Sequence, residues 1–295
     1  MTDNRAELEY YADLLKPVGK PKVKHTPDFW DKRAVTWDSE LKEEGGRKKR
    51  SDIRISETVR YLKEQNILMP DTRLIDIGCG LGLFTTEFAK TAAYSLGIDL
   101  SPEMTRRAEA YAEDEGVSGA EFEACDFVNI DIDGKNWRGA FDLVFASITP
   151  VAGNPAGWKK MTDMSRKYCF NSTFVHSDVS LENQLARDVY KRPVNNPRDS
   201  RGFYAMFNTL WLWGYFPVVT YHREAADEYL KPDRTMAVKL DERFNPYASE
   251  EETERIYEYL KSICGPDGTY HYTAEWIYAW TLWDVRKCVP RSFAR

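Results

Sequence analysis

The sequence predicts an α/β fold in which a mostly parallel sheet is covered by helices on both faces. Two observations carry this. From about residue 51 to 178, short apolar runs alternate with amphipathic segments, the order expected of strand–helix repeats. The runs are also apolar almost throughout, which suits strands buried on both faces and not strands with one wet side.

Residues 1–50 mix helix-forming stretches with Pro17, Pro21, Pro27 and the Gly45-Gly46 pair, and read as an N-terminal arm. Five strands are expected next: LIDIG (74–78), YSLGIDL (94–100), FEACDF (122–127), FDLVFASIT (141–149) and YCFNSTFVHS (168–177). The helix after the second begins at Ser101-Pro102-Glu103: a capping hydroxyl, a proline at the first helical position and an acid in the first turn. Met104, Ala108, Tyr111 and Ala112 then share one face, as Phe84, Phe88 and Ala92 do on the preceding helix.

Beyond 178 the pattern is less regular. The polar, proline-broken stretch 187–202 predicts a loop, and 203–216 an aromatic segment with Phe203, Phe207, Leu210 and Trp211 at helical spacing, a core stripe or an acceptor wall. Residues 217–225 and 277–286 predict a sixth and a seventh strand, and 250–266 a helix with acids at its start and Gly-Pro at its end.

At 295 residues the chain can bury a large core and spare a cap. Hydrophobic residues at 42% and charged residues at 30% indicate a globular chain. No apolar run approaches the roughly 18 residues of a membrane span, and the acidic N-terminus lacks a signal-peptide core, so no membrane partner is expected and the cytoplasm is the expected compartment. Five cysteines without a CxxC pair argue for reduced thiols and no metal site. A net charge of −6 argues against a broad phosphate-binding surface. The basic stretches 16–25 and 46–50 read as a solvated arm, with nucleic-acid docking as the alternative.

The chemistry concentrates in LIDIGCGLGLFT (74–85), which ends a buried strand and opens a helix. Gly78, Gly80 and Gly82 allow a tight turn and close approach of a ligand to backbone. Unpaired N–H groups of the following helix point at that turn. Glycines alone leave dinucleotides open. Asp76, two residues before Gly78, tilts the choice, since it would repel a pyrophosphate yet can accept from an ammonium or a water near a sulfonium cofactor. Asp99 ends the second strand, where an acid can accept both ribose hydroxyls. Asp126 follows the third and can accept from an adenine amino group, with Phe127 or Leu100 over the ring.

These residues resemble the class I S-adenosylmethionine-dependent methyltransferases, in particular the small-molecule type of ubiquinone and menaquinone biosynthesis, over about residues 28–178. The resemblance implies a Rossmann-like seven-stranded sheet with an antiparallel strand at one edge. It divides the chain into an arm or lid (1–50), a cofactor-binding core (51–178), and a substrate cap with edge strands (179–295). It assigns Asp76, Gly78, Cys79 and Gly80 to the methionine end of the cofactor and Asp99 to the ribose. Leu100 and Met104 go to the adenine faces, and Asp126 with Phe127 to its edge. It gives FWDKRAVTWDS (29–39) the role of a lid, with Trp30 and Trp37 over the cofactor and Trp37 nearest the sulfonium. The Leu-x-Pro-Gly-Gly turn of many relatives is replaced by MSRKYCF (164–170), so no acceptor carries over.

The expected reaction is in-line methyl transfer from S-adenosylmethionine to a small-molecule acceptor, leaving S-adenosylhomocysteine. Positioning alone can supply about 7–11 kcal/mol of acceleration, so a base is optional. Ser147, Thr149 and His176 are the polar groups placed at the fourth and fifth strand ends; Ser147 is a candidate cofactor contact and His176 the candidate base. NPAG (154–157) reads as a turn before a helix. The alternatives are a methyltransferase acting on protein or tRNA, a non-catalytic S-adenosylmethionine-binding regulator and, disfavoured by Asp76, a dinucleotide oxidoreductase. The oligomeric state is left open.

Overall fold

The computed structural model describes residues 4–16, 26–42, 46–192, 200–244 and 249–289. Three N-terminal helices, α1 (Arg5–Leu14), α2 (Pro27–Lys42) and α3 (Gly46–Glu64), precede the first strand. Strand β1 (Arg73–Ile77), helix α4 (Leu83–Ala89), β2 (Tyr94–Asp99), α5 (Pro102–Asp114), β3 (Ala120–Ala124) and β4 (Phe141–Ser147) follow. Then come α6 (Pro155–Met164), β5 (Ser165–Val179), α7 (Ser180–Asp188), α8 (Arg201–Leu212) and β6 (Val218–Leu230). Helices α9 (Arg234–Phe244) and α10 (Glu250–Ser262) and strand β7 (Tyr270–Asp284) complete the order.

The seven strands form one sheet in the order β3-β2-β1-β4-β5-β7-β6. Strands β1 to β5 pair in parallel, while β7 runs antiparallel between β5 and β6. Alternation along each strand feeds two cores. Ile75, Val144, Cys169 and Trp283 pack with Trp158 and Met161 of α6 and Met206 and Leu210 of α8. Their neighbours Leu74, Leu143, Phe170 and Leu282 pack with Val59 and Leu62 of α3 and Phe84 and Phe88 of α4. This two-sided burial is why these strands read as continuous apolar runs.

Local signals act as expected at the helix starts. The Ser101 hydroxyl accepts from Met104 N–H at 3.0 Å; residues 154–157, expected as a turn before a helix, instead open α6, with Asn154 as its cap accepting from Gly157 N–H at 3.0 Å. The long strands were harder to read. Strands β5, β6 and β7 hold 15, 13 and 15 residues and run past the tips of β1 and β4 as a projecting three-stranded wing. Helices α7, α9 and α10 cover one face of that wing through Leu185, Leu240 and Ile256. The third strand ends at Ala124, so Cys125, Asp126 and Phe127 sit in the loop beyond it. The loop expected over 187–202 is split: 187–188 end α7, 201–202 open α8, and 193–199 lie outside the described residues. The basic stretch falls outside them from 17 to 25. On α8 the buried stripe is Ala205, Met206, Thr209 and Leu210, one position off the expected face. No helix among the described residues is long and apolar enough to cross a membrane.

Candidate functional site

A cavity of about 370 Å³ opens at the carboxyl ends of β1, β2 and β4, where open α/β sheets bind ligands. Gly78, Gly80, Asp99, Leu100, Met104, Asp126, Phe127 and Trp37 line it, eight of the residues singled out from the sequence. Gly78 takes φ +71°, and a Cβ there would stand 2.2 Å from Thr149 Oγ1. Gly80 takes φ +55° with open space where its Cβ would be, so the turn leaves room for a ligand against bare backbone.

Asp99 is pinned before any ligand arrives. Its Oδ2 accepts from Gly80 N–H at 3.0 Å and its Oδ1 from Ser101 N–H at 3.0 Å. Each oxygen keeps acceptor capacity for a further donor. Burial pushes its pKa up, against these backbone bonds. Asp126 is exposed and caps its own loop, accepting from Val128 N–H at 3.0 Å and Asn129 Nδ2 at 2.8 Å. Lys160 Nζ donates to the carbonyls of Phe127, Val128 and Ile130 at 2.8, 2.7 and 3.2 Å and so fixes the loop from below.

Other singled-out residues are placed differently. Asp76 stands behind the glycine turn, 2% exposed and outside the cavity lining, and accepts from Thr85 Oγ1 at 2.8 Å. Burial raises its pKa to about 7, with Asp99 adding to the rise. The Cys79 thiol turns toward β2, where a Cβ on Gly97 would lie 2.9 Å from its Sγ. Burial holds its pKa well above the usual thiol value, so only its backbone faces the turn. Ser147 ends β4 outside the lining. His176 is not brought to either cavity. The reason is the wing: Ser172 is level with the end of β4, and His176 lies four residues further on, about 13 Å.

Helix α2 covers the cavity. Trp30, Ala34 and Trp37 share one face and pack on Leu81 and Met104, with the two indoles edge to face at 6.0 Å. Two acids one heptad apart latch the helix to α5. Asp31 accepts from the Ser101 hydroxyl and from Glu103 N–H at 3.3 Å, and Asp38 pairs with Arg107. Glu103 holds Arg107 from the other side at 2.7 Å. The signal for this latch was available in the Trp-Asp spacing of 30–31 and 37–38.

A second cavity of about 360 Å³ adjoins the first and shares Trp30, Ile148, Thr149 and Pro150 with it. Asn171, Ser172 and Thr173 of β5, Trp158 and Met206 complete most of its wall. The Ser172 hydroxyl is buried without a hydrogen-bond partner. No acidic, basic or histidine side chain lines this cavity among the described residues. Ile148, at the junction, holds φ +53°, a strained setting for a β-branched residue, and its N–H donates to Ser172 O at 2.8 Å.

The strand order and the crevice at the carboxyl ends of β1, β2 and β4 define an open α/β fold of the ligand-binding type. The chain belongs to the methyltransferase-domain family, whose model matches residues 68–234, and its sheet is the Rossmann-like sheet of class I S-adenosylmethionine-dependent methyltransferases. Curated relatives match over short spans. The 23S rRNA uracil C5-methyltransferase RlmD of Hahella chejuensis is 45% identical over 53 residues, 18% of this chain and 12% of that protein. The same enzyme of Shewanella sediminis is 33% identical over 73 residues, 25% of this chain and 16% of that protein. The chain thus spans less than a fifth of these relatives' length. Among solved structures, magnesium protoporphyrin IX methyltransferase of Synechocystis PCC 6803, with bound S-adenosylhomocysteine, aligns over 86% of this chain and 96% of its own at 12% identity and a TM-score of 0.49.

Proposed function

We propose that this chain transfers the methyl group of S-adenosylmethionine to a small-molecule acceptor held in the second cavity. The observation that carries the reading is the junction of the two cavities at Trp30, Ile148, Thr149 and Pro150. A donor in the first and an acceptor in the second would meet there. The first cavity fits the donor: Asp99 offers two pre-set acceptors to a ribose diol, and Gly80 leaves backbone bare for a close approach. Leu100, Met104 and Phe127 supply apolar walls for the base, and Asp126 an acceptor at its rim. Asp76 stands behind the turn with its pKa raised to about 7, and a donor ammonium on that side would favour its ionised form.

The donor supplies an electrophilic methyl carbon. The chain's own residues then bind, orient and exclude water. Trp30 roofs the junction and Trp37 the first cavity beside it, and the Asp31 and Asp38 latches hold that roof on α5. On this reading α2 acts as lid, 51–178 carries the donor site and most of the acceptor wall, and 179–295 adds Gly202 and Met206 to that wall together with the rest of the wing. The acceptor wall offers amide and hydroxyl groups from Asn171, Ser172 and Thr173, with no titratable base among the described residues. The acceptor therefore brings a nucleophile that needs no base at that wall, such as a thiolate, a phenolate or an aromatic amine.

A second reading, an RNA acceptor, draws on the rRNA methyltransferase names of the partial relatives. Among the described residues the second cavity has no lysine or arginine in its lining to meet a phosphate, which favours the small-molecule reading. The test is calorimetry followed by turnover. S-adenosylhomocysteine should bind and NAD should not. Methyl transfer from labelled donor should appear with pools of small thiols, phenols or aromatic amines and not with transcribed rRNA or tRNA. Turnover on RNA alone would overturn the acceptor assignment, and absence of homocysteine-nucleoside binding would overturn the donor assignment.

A further inference from the structure

Strand β6 closes the sheet on its far side, and its outer backbone edge has no strand partner among the described residues. A long straight edge is a template for another strand, and proteins blunt such edges with prolines, lysines or bulges. Val218–Leu230 contains no proline and no lysine, and its ladder with β7 runs unbroken over all 13 residues. Two of its aromatic side chains, Tyr221 and Tyr229, are 60% and 72% exposed.

The order of side chains along this edge specifies what it accepts. Tyr221, Arg223, Asp227 and Tyr229 lie on one face, because residues two apart along a strand share a face. They are arranged symmetrically about Ala225. When two copies of the strand pair antiparallel about a twofold axis at Ala225, Arg223 of each copy stands opposite Asp227 of the other. Tyr221 stands opposite Tyr229 on the same face, and His222 opposite Glu228 on the reverse. A twofold axis normal to the sheet pairs only residues of equal parity. Moving it to Glu224 sets Tyr221 against Asp227, and moving it to Ala226 sets Arg223 against Tyr229. Of these three registers, only the one at Ala225 matches Arg223 with Asp227. Within the chain, Arg223 also pairs with Glu275 and Asp227 with His271 at 3.0 Å, so both charges are already anchored on the open face.

We propose that two copies of this chain join edge to edge through β6 in the register centred on Ala225, making one continuous fourteen-stranded sheet from two seven-stranded ones. The partner is a second copy because the pattern is complementary to itself: opposite charges meet twice and like charges never do. This pairing does not depend on the identity of the methyl acceptor.

Sedimentation velocity on the full chain gives a mass of twice 34.2 kDa in the low micromolar range. Arg223→Asp places like charges together at two points and raises the dimer dissociation constant by about tenfold or more. Adding Asp227→Arg in the same chain exchanges the charges and restores the dimer. Register is read by cross-linking, with the exposed Cys288 changed to Ser. Ala225→Cys lies on the axis, about 4.5–5.5 Å from its own copy, within disulfide reach, and cross-links under mild oxidation. Tyr229→Cys stands about 27 Å from its copy and does not. A monomer at roughly 100 µM, a double variant no tighter than Arg223→Asp, or equal cross-linking at 225 and 229 overturns the proposal. A wild-type monomer would leave the edge to a strand from a different protein.

Discussion

Asp76→Asn separates what Asp76 costs the fold from what it gives the site. The carboxyl ends β1 behind the glycine turn with one hydrogen bond, from Thr85 Oγ1 at 2.8 Å. Burial raises its pKa from 3.8 to about 7. In the folded state it therefore keeps a proton that the unfolded chain has already lost, between about pH 4 and 7. Stability falls as pH rises through that window, by roughly 4 kcal/mol once both states are ionised. Asn keeps the bond from Thr85 and removes the charge, but its amide N–H groups go without partners at a cost of about 1–3 kcal/mol. The net gain above pH 7 is then about 1–3 kcal/mol, or roughly 2–6 °C in melting temperature. Near pH 4 the gain vanishes or reverses. Calorimetric melting of both proteins at pH 5 and pH 8 measures this difference. Loss of the charge behind the turn should also weaken S-adenosylhomocysteine about tenfold or more, read by titration calorimetry. A variant less stable than wild type at pH 8, or a difference that does not change with pH, would refute the buried-charge argument. Unchanged ligand affinity would refute the link to the cofactor while leaving the stability argument intact.

Asp99→Ala removes both pre-set acceptors and should cost about 2–3 kcal/mol of S-adenosylhomocysteine binding; calorimetry within threefold of wild type would exclude the ribose contact. Gly78→Ala meets Thr149 Oγ1 at 2.2 Å and strains φ +71°; it should lose more than about 2 kcal/mol of stability, with partial recovery in Gly78→Ala/Thr149→Ala by urea denaturation. Asp142 is buried and accepts from Arg73 N–H at 2.9 Å and from Arg166 at 2.8 and 2.7 Å. Although burial pushes its pKa up, those bonds outweigh it and hold the carboxyl well below the usual range. Its stabilisation is thus complete above the ordinary carboxylate pKa and is lost as pH falls from there toward the depressed value. Asp142→Asn should lower stability by about 2 kcal/mol at pH 7 and by progressively less toward pH 2, as denaturant melts at several pH values would show.

The donor half was legible because its signals are local. A tight turn needs glycine at Gly78, a helix start needs Ser101, and two-sided burial writes continuous apolar runs at 74–78 and 141–147. The acceptor half was not, because its determinants are distances along a sheet. His176 reads as a strand-end residue only while the fifth strand is taken to stop with its neighbours. The strand instead continues to Val179 alongside β7, carrying His176 past the tips and leaving Asn171, Ser172 and Thr173 at the cavity. Likewise Asp76 is near the turn in sequence but behind it in space, since side chains at strand ends alternate faces.

The wing also explains why the lid is needed. A sheet whose strands all stop level leaves its crevice open to solvent, and methyl transfer requires water kept from the reacting carbon. Here β5 supplies one wall of the second cavity through Asn171 and Ser172, level with the end of β4, and Thr173 just past it, while α6 and α8 supply another through Trp158 and Met206. The remaining side, over Thr149, is roofed by Trp30, which lines both cavities. The latches of α2 on α5 involve Ser101, the same residue whose N–H fixes Asp99 and whose hydroxyl caps α5. One residue thus ties together the lid, the helix start and the carboxylate that faces the donor cavity. Displacing the lid would remove the Asp31 acceptor from that hydroxyl without touching the cap itself. Asp99 keeps its bonds from Gly80 N–H and Ser101 N–H whether or not α2 is seated, so its orientation toward the cavity does not depend on the lid.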